Sequence, residues 1–247
     1  MRLLLAPIAI AFLLSAPASA QVAEISKLIP GGDPTVSGRI IQYAALLTVL
    51  SLAPGLLIMV TSFTRLVIAL SFLRSGLGLQ STPANLVMVS LALFLTFFIM
   101  APVFERAQTE GLTPYMAGSI TEAEAYDRIT RPFRDFMTKN VREKDLALFE
   151  SLAKDRSIKI SEQGDVDLRI LVPAFMISEL RRGFEIGFLI ALPFLVIDLI
   201  VSMLTMSMGM MMLPPTVISL PFKVLFFVLI DGWNLLAGSL VSSFISS

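Results

Sequence analysis

Ionisable side chains set inside long apolar stretches constrain this chain more than any other feature. Asp198 lies within IGFLIALPFLVIDLIVSMLTM, and Lys223 and Asp231 lie within LPFKVLFFVLIDGWNLLAG. An ionised side chain at the centre of a lipid-facing helix costs about 2.5–3.5 kcal/mol on insertion scales. Such residues therefore face protein, a partner chain or a water-filled path. The pattern is that of a chain that assembles with others inside or against a membrane.

The totals narrow the function classes. Only 15% of the 247 residues are charged, against about 25% in ordinary soluble domains. Nineteen basic and nineteen acidic residues cancel, so no excess of either sign points to nucleic acid or to a basic partner. There is no cysteine and no histidine, which removes thiol, zinc-finger and imidazole chemistry and disulfide stapling together. No G-x-x-x-x-G-K-[ST] stretch exists, so ATP hydrolysis by this chain is not expected, nor is any cofactor or metal site.

The first twenty residues read as a signal peptide. Met1-Arg2 gives the positive start, residues 3–14 the apolar run, and Ala18-Ser19-Ala20 a cleavage site before Gln21. A short uncleaved anchor is the alternative. Residues 21–39 form a polar linker containing the turn sequence Pro30-Gly31-Gly32-Asp33-Pro34. A first apolar block spans residues 40–73. It exceeds a bilayer core of about 30 Å if straight, so Pro54-Gly55 is expected to kink or divide it. Thr82-Pro83 marks the start of a second block, residues 83–102, of one bilayer crossing.

Residues 105–169 carry most of the charge. Thr121 and Glu124 have capping-box spacing and should start a helix that Pro132 interrupts or restarts. Leu146, Phe149 and Leu152 recur at helical spacing among charges, predicting an amphipathic helix. From residue 170 the chain is apolar again, in two blocks separated by the tip Gly209-Met210-Met211-Met212-Leu213-Pro214-Pro215. The expected fold is all-α and membrane-associated. Two long kinked helical hairpins, residues 40–104 and 170–247, flank a polar helical insert, 105–169.

Ordinary membrane crossings fit this sequence awkwardly. With the mature N-terminus outside, the loop near Arg65 and Arg74 falls inside and obeys the positive-inside rule, but Arg181 and Arg182 then flank the third span on the outer side. Hairpins packed mainly against protein would resolve this. If the second hairpin closes near residues 210–212, Asp198 and Lys223 lie at similar depth and can pair. Glu179 is the other candidate partner for Lys223, across a subunit boundary. Asp231 lies about 80° round the helix from Lys223 and should not pair with it. These charges either fix helix register and partner choice or act directly in transport, and the two roles are compatible. An aspartyl protease built on Asp198 and Asp231 is disfavoured because Leu-Ile-Asp-Gly-Trp lacks a Gly-x-Gly-Asp pattern. A proton-coupled carrier relaying through Asp198, Asp231 and Lys223 stays open, although no repeat of the two hairpins is visible.

The methionines Met203, Met206, Met208, Met210, Met211 and Met212 are either core filler or, at a hairpin tip repeated around a ring, a deformable seal. Phe133, Phe136, Met137 and Phe149 either pack the insert together or line a substrate path.

Four ordered stretches resemble the FliP family of flagellar biosynthesis and its relatives in virulence type III secretion. They are SFTRLVIALSFLRSGLGLQSTPANLVMVSLALFLTFFIMAPVF (62–104), RPFRDFMTKNVREKDLALF (131–149), ELRRGFEIGFLIALPFLVIDLIVSMLTMSMGMMMLPP (179–215) and ISLPFKVLFFVLIDGWNLLAGSL (218–240). The resemblance implies an export-gate subunit at the base of the flagellum, in the bacterial inner membrane and largely on its periplasmic side. It implies about five copies closing with FliQ and FliR into a helical cone, with FliO assisting assembly, FlhB and FlhA as neighbours, and unfolded flagellar subunits as cargo. Virulence-type secretion is the alternative setting. By the same resemblance Met210, Met211 and Met212 match a pore-narrowing loop, and Glu179 and Lys223 match charged positions at helix contacts. Arg65, Asp198 and Asp231 match polar positions within the apolar helices, and the insert phenylalanines match positions near the upper part of the assembly.

Overall fold

The computed structural model describes residues 36–79, 83–155, 166–209 and 214–245. The expected cleavage site at Ala20-Gln21, the turn at 30–34, the Thr82 cap, the polar loop at 156–165 and Met210, Met211 and Met212 lie outside the described residues. The chain divides into two compact units, residues 1–53 and 54–247, and the packing below belongs to the second.

Among the described residues every regular element is helical. Helix α1 spans Val36–Val60 and α2 spans Phe63–Gly76. Helix α3, Asn85–Arg106, continues through a π-helical turn, Ala107–Leu112, into the short α4, Thr113–Met116. The insert contributes α5, Glu122–Asn140, and α6, Glu143–Asp155. Helix α7 runs unbroken for 40 residues, Leu168–Ser207. Helices α8, Pro215–Leu229, and α9, Gly232–Ile245, close the chain at a bend of 64°. Among the described residues two helices, Asn85–Met116 and Leu168–Ser207, are long and apolar enough to cross a membrane, and the bent α8–α9 pair counts as a third if taken as one span.

The breaks fall at different places from those expected. The first block divides at Thr61-Ser62, not at Pro54-Gly55. Thr61 and Ser62 are buried, and the Thr61 hydroxyl accepts a hydrogen bond from the Phe63 amide at 3.5 Å, so the break supplies its own polar partner. Pro132 sits inside α5 without interrupting it, and α7 passes through both Pro173 and Pro193. In the apolar α7 a proline removes one helical hydrogen bond, whereas unwinding there would expose several. The fourth apolar block has a break of its own. It is divided at Asp231, which holds φ 52°, a left-handed conformation uncommon outside glycine. Gly232 follows directly, and a Cβ there would lie 2.2 Å from the Phe227 ring. That ring meets Trp233 edge-on at 5.3 Å.

The expected helix start at Thr121 forms. Its hydroxyl accepts from the Glu124 amide at 3.4 Å, and its backbone N–H donates to the Glu124 carboxylate at 2.9 Å. These hydrogen bonds hold the Glu124 carboxyl below its usual range, the bond from the Thr121 backbone contributing most. The contribution is present above the ordinary carboxylate pKa and fades as pH falls through the lowered value.

The most extensive packing joins α2 to α7. The two run parallel, with partners held at a nearly constant offset along the chain. Ile68 covers Gly183, Phe72 covers Gly187, and Gly76 lies against Ala191 and Phe194. Gly183, Gly187 and Ala191 are spaced four apart, so they form one ridge of missing side chains into which α2 settles. Leu66, Ala69, Leu70 and Leu73 of α2 are buried in the main apolar cluster, with Phe194 of α7, Ala92 of α3 and Leu240 of α9. A second cluster joins Met137 of the insert to Leu171 and Phe175 of α7. Phe133 meets Phe104 of α3 edge-on at 5.7 Å, and Phe149 is half-buried.

A Cβ at Gly187 would come within 2.7 Å of Phe72. Gly187→Ala should therefore force α2 away from α7 and destabilise the fold by about 1–3 kcal/mol, the usual cost of overpacking. Gly238→Ala meets open space and should change little. Thermal unfolding in detergent compares the two.

Candidate functional site

Two charge clusters tie apolar helices together. In the first, Arg65 of α2 is wholly buried, as is Glu179 of α7. The guanidinium donates from Nε to Oε2 at 2.9 Å and from Nη2 to Oε1 at 2.5 Å, a bidentate fork. Its remaining edge turns to α9, where Nη1 donates to the Ser243 carbonyl at 3.2 Å and to Ser243 Oγ at 3.0 Å. The same guanidinium stands 3.6 Å from the centroid of the Phe244 ring. One side chain therefore joins three helices that are remote in sequence.

The insert reaches this cluster by two routes. Phe136 of α5 stacks on Phe244, with centroids 5.9 Å apart, and meets Phe175 of α7 edge-on. Ser178, beside Glu179 and fully buried, donates to the Asp145 carboxylate at 2.7 Å and accepts from the Arg142 amide at 3.1 Å. The junction of α5 and α6 is thus fastened one residue from the buried ion pair.

In the second cluster Lys223 of α8 is buried, and Asp198 of α7 is half-buried. Lys223 Nζ donates to Asp198 Oδ2 at 2.6 Å and to the carbonyl of Gly76, the last residue of α2, at 2.9 Å. Ser219 donates to Asp198 Oδ1 at 2.5 Å. The ammonium therefore neutralises a carboxylate and caps the C-terminal end of α2. This is the pairing that equal depth in the hairpin allows.

The structure separates the other candidates. Glu179 meets Arg65, not Lys223, within this chain. Asp231 is exposed at the α8–α9 bend, where Asn234 Nδ2 donates to its carboxylate at 3.1 Å. It is not a buried charge here, and the bend carries it onto a different helix geometry from the one that set its expected angle to Lys223. Arg181 pairs with Glu185 at 3.0 Å on an exposed face of α7. The sequence reading missed the partners Ser178, Ser219 and Ser243. It also missed the pattern that sets the geometry. Glu179, Gly183, Gly187 and Ala191 recur every fourth residue, so the charge and the small residues lie along one ridge of α7.

Nothing in either cluster resembles a catalytic constellation. Among the described residues no group of three acidic side chains could hold a metal ion. Each ion pair joins two different helices.

Removing one member of the first pair strands a buried charge. Arg65→Met and Glu179→Leu should each cost about 3–5 kcal/mol, while the double replacement should recover most of that loss. A double-mutant cycle on unfolding in detergent reads the coupling directly.

The FliP family model matches residues 46–240. The flagellar biosynthetic protein FliP of Rhizobium meliloti (strain 1021) is 63% identical over 213 residues, covering 86% of this chain and 87% of the relative. That of Bacillus subtilis (strain 168) is 52% identical over 221 residues, covering 90% and 99%. That of Caulobacter vibrioides (strain ATCC 19089 / CIP 103742 / CB 15) is 50% identical over 228 residues, covering 92% and 85%. All of the residues in the two charge clusters except Ser243 and Phe244 lie within the matched span. This chain belongs to the FliP family.

Proposed function

We propose that this chain is a non-enzymatic subunit of the flagellar type III export gate, forming part of the path by which unfolded flagellar subunits leave the cell. Its setting is the flagellar basal body in the bacterial inner membrane, largely on the periplasmic side. Several copies, five by family resemblance, close with FliQ and FliR into a cone. FliO assists assembly, and FlhB and FlhA adjoin it. The names of the relatives are flagellar, which favours this branch over virulence secretion.

One observation supports this most directly. Helix α7 is about 60 Å long at 1.5 Å per residue, roughly twice a hydrocarbon core. Its outward side chains stay apolar along much of that length, from Phe184 and Phe188 through Leu195 and Leu199 to Met203 and Met206. That exposed stretch is about 33 Å long, close to one hydrocarbon core, so the earlier turns of α7 stand clear of the lipid, where Leu171 and Phe175 pack on Met137 of the insert. The charges of Arg65, Glu179, Asp198 and Lys223 are spent inside the protomer, where they hold its helices together for assembly. Asp231, exposed on one protomer, is left for a contact made in the complex.

In this reading Met210, Met211 and Met212 from each copy converge on the path and close it. Their support is chemical, since methionine is flexible and apolar and yields to a passing chain. They sit between Gly209, with φ 70°, and Pro214.

Co-expression of the full chain with FliQ and FliR should yield a ring-like complex visible by cryo-electron microscopy. Recovery of every copy as a lone protomer, with no association with FliQ or FliR on co-expression, would refute the proposal. Replacing Met210, Met211 and Met212 together with alanine should leave complex yield unchanged and raise ion leakage through reconstituted complexes. Unaltered conductance would remove the seal.

A further inference from the structure

Helix α7 carries a regular exposed stripe. Leu189, Leu192, Val196, Leu199, Met203 and Met206 recur at alternating steps of three and four and are all exposed. That is the spacing of a seam made to meet another helix. Extended towards the start of α7, the same spacing reaches Glu185 and then Arg182. Helix α8 carries a second stripe. Val217, Pro221, Val224 and Val228 are exposed at the same alternating steps, and Asp231 is the next position. A crevice of about 160 Å³ opens beside Val224 and Val228, against Met88 of α3. It is a hole for one knob of an opposing stripe.

The two stripes point different ways. Phe194 and Asp198, which meet α8, lie on the far side of α7 from the first stripe, and the second faces away from Lys223. The α7–α8 pair therefore bears one stripe on each outer flank. Each stripe also ends in a charge that lacks a counter-charge among the described residues. Arg182 is half-buried and outside every ion pair on α7, and the charges that act on it, Glu179 and Arg65, already answer each other. Asp231 has only the Asn234 amide. Every other charge on α7 and α8 has an oppositely charged partner. The two unanswered charges are opposite in sign, and both lie at the end of their stripe away from the turn joining α7 to α8. Such a pair of flanks is what a head-to-tail contact between copies requires.

We propose that the α7 stripe of one copy receives the α8 stripe of the next, with Arg182 of the first paired to Asp231 of the second. The proposal deepens the reading of this chain as a multi-copy export-gate subunit and rests on it. The charge pair sets the register, placing Leu189 opposite Val224 and Val196 opposite Val217. Within one chain Lys223 is level with Asp198, whereas across the contact it is level with position 190. Successive copies then step by up to about 12 Å, giving a helical arrangement and not a flat ring.

The chain has no cysteine, so introduced pairs report alone. The full chain, co-expressed with cysteine-free FliQ and FliR, is oxidised in its membranes. Leu189→Cys and Val224→Cys in one chain should give a ladder of disulfide-linked copies on a denaturing gel. Either substitution alone should give single chains, and the two on separate co-expressed chains should stop at dimers. Met203→Cys with Val224→Cys, far out of register, should not cross-link. Arg182→Glu and Asp231→Arg should each lower recovery of the multi-copy complex by about tenfold, since each sets like charges together. Both in one chain should restore most of it, which a purely local role of Asp231 at the start of α9 would not allow. The contact is overturned by the absence of a ladder from a complex of normal yield, by cross-linking of either single variant, or by failure of the double exchange to rescue. Capture of FliQ or FliR, and not a second copy, by Leu189→p-benzoylphenylalanine overturns it too. In all these cases native mass spectrometry still finds the multi-copy complex. Its complete absence from the unsubstituted chain defeats the reading beneath the contact as well.

Discussion

The guanidinium of Arg65 is the contact on which the architecture of residues 54–247 turns. A buried arginine is tolerable only when its donors are met and its charge is answered. Here the carboxylate comes from α7, 114 positions away along the chain, and the remaining acceptors come from α9, 178 positions away. No local rearrangement can substitute for partners so remote, so the three helices must arrive together. The Phe244 face against the guanidinium, and Phe136 stacked behind it, carry the same constraint into the insert.

That contact works because the backbones beside it can approach. Glu179 heads the ridge that continues through Gly183, Gly187 and Ala191, and Arg65 heads the stripe that continues through Ile68, Phe72 and Gly76. Small residues in one helix receive large ones from the other. Dispersion over that seam holds the helices close, which is how apolar helices associate where the hydrophobic effect between them is weak. The ion pair fixes which register the seam adopts. A slip of one turn along α7 would set Phe72 against the Cβ of Ala191, or Ile68 against Glu179, and would strand both charges as well.

Much of this was readable from sequence, and the rest was not for identifiable reasons. Hairpin arithmetic put Asp198 and Lys223 at one depth and so allowed their pairing, because depth in an antiparallel pair depends only on position, but it left Glu179 as an equal candidate. The Thr121–Glu124 cap was readable because it is local. The first block divides at Thr61-Ser62 rather than at Pro54-Gly55, and α5 runs through Pro132, whose buried ring is held by packing that a local rule does not see. The break at Asp231 was invisible because it depends on Gly232 admitting the Phe227 ring, a contact that exists only after α8 and α9 have packed. The pairing of Arg65 with Glu179 needed the parallel α2–α7 seam. Its four-residue spacing is present in the sequence, but its partner stripe is not marked by any pattern.

The two charge clusters hold α2 near both ends against α7. Glu179 takes Arg65 in the first turn of α2, and Lys223, itself held by Asp198, takes the carbonyl of Gly76 at the last residue. A helix of 14 residues would be marginal alone. Pinned at its start by an ion pair, at its end by a cap, and along its length by a ridge of small residues, it becomes the rigid centre of the protomer. The polar demands of the protomer are then met largely from within, and the surface left on α7 is predominantly apolar. Such a surface is indifferent between acyl chains and the equally apolar flank of another protomer. A protomer with that exterior can enter a bilayer as a monomer and later exchange lipid for sister chains without breaking either of its buried pairs.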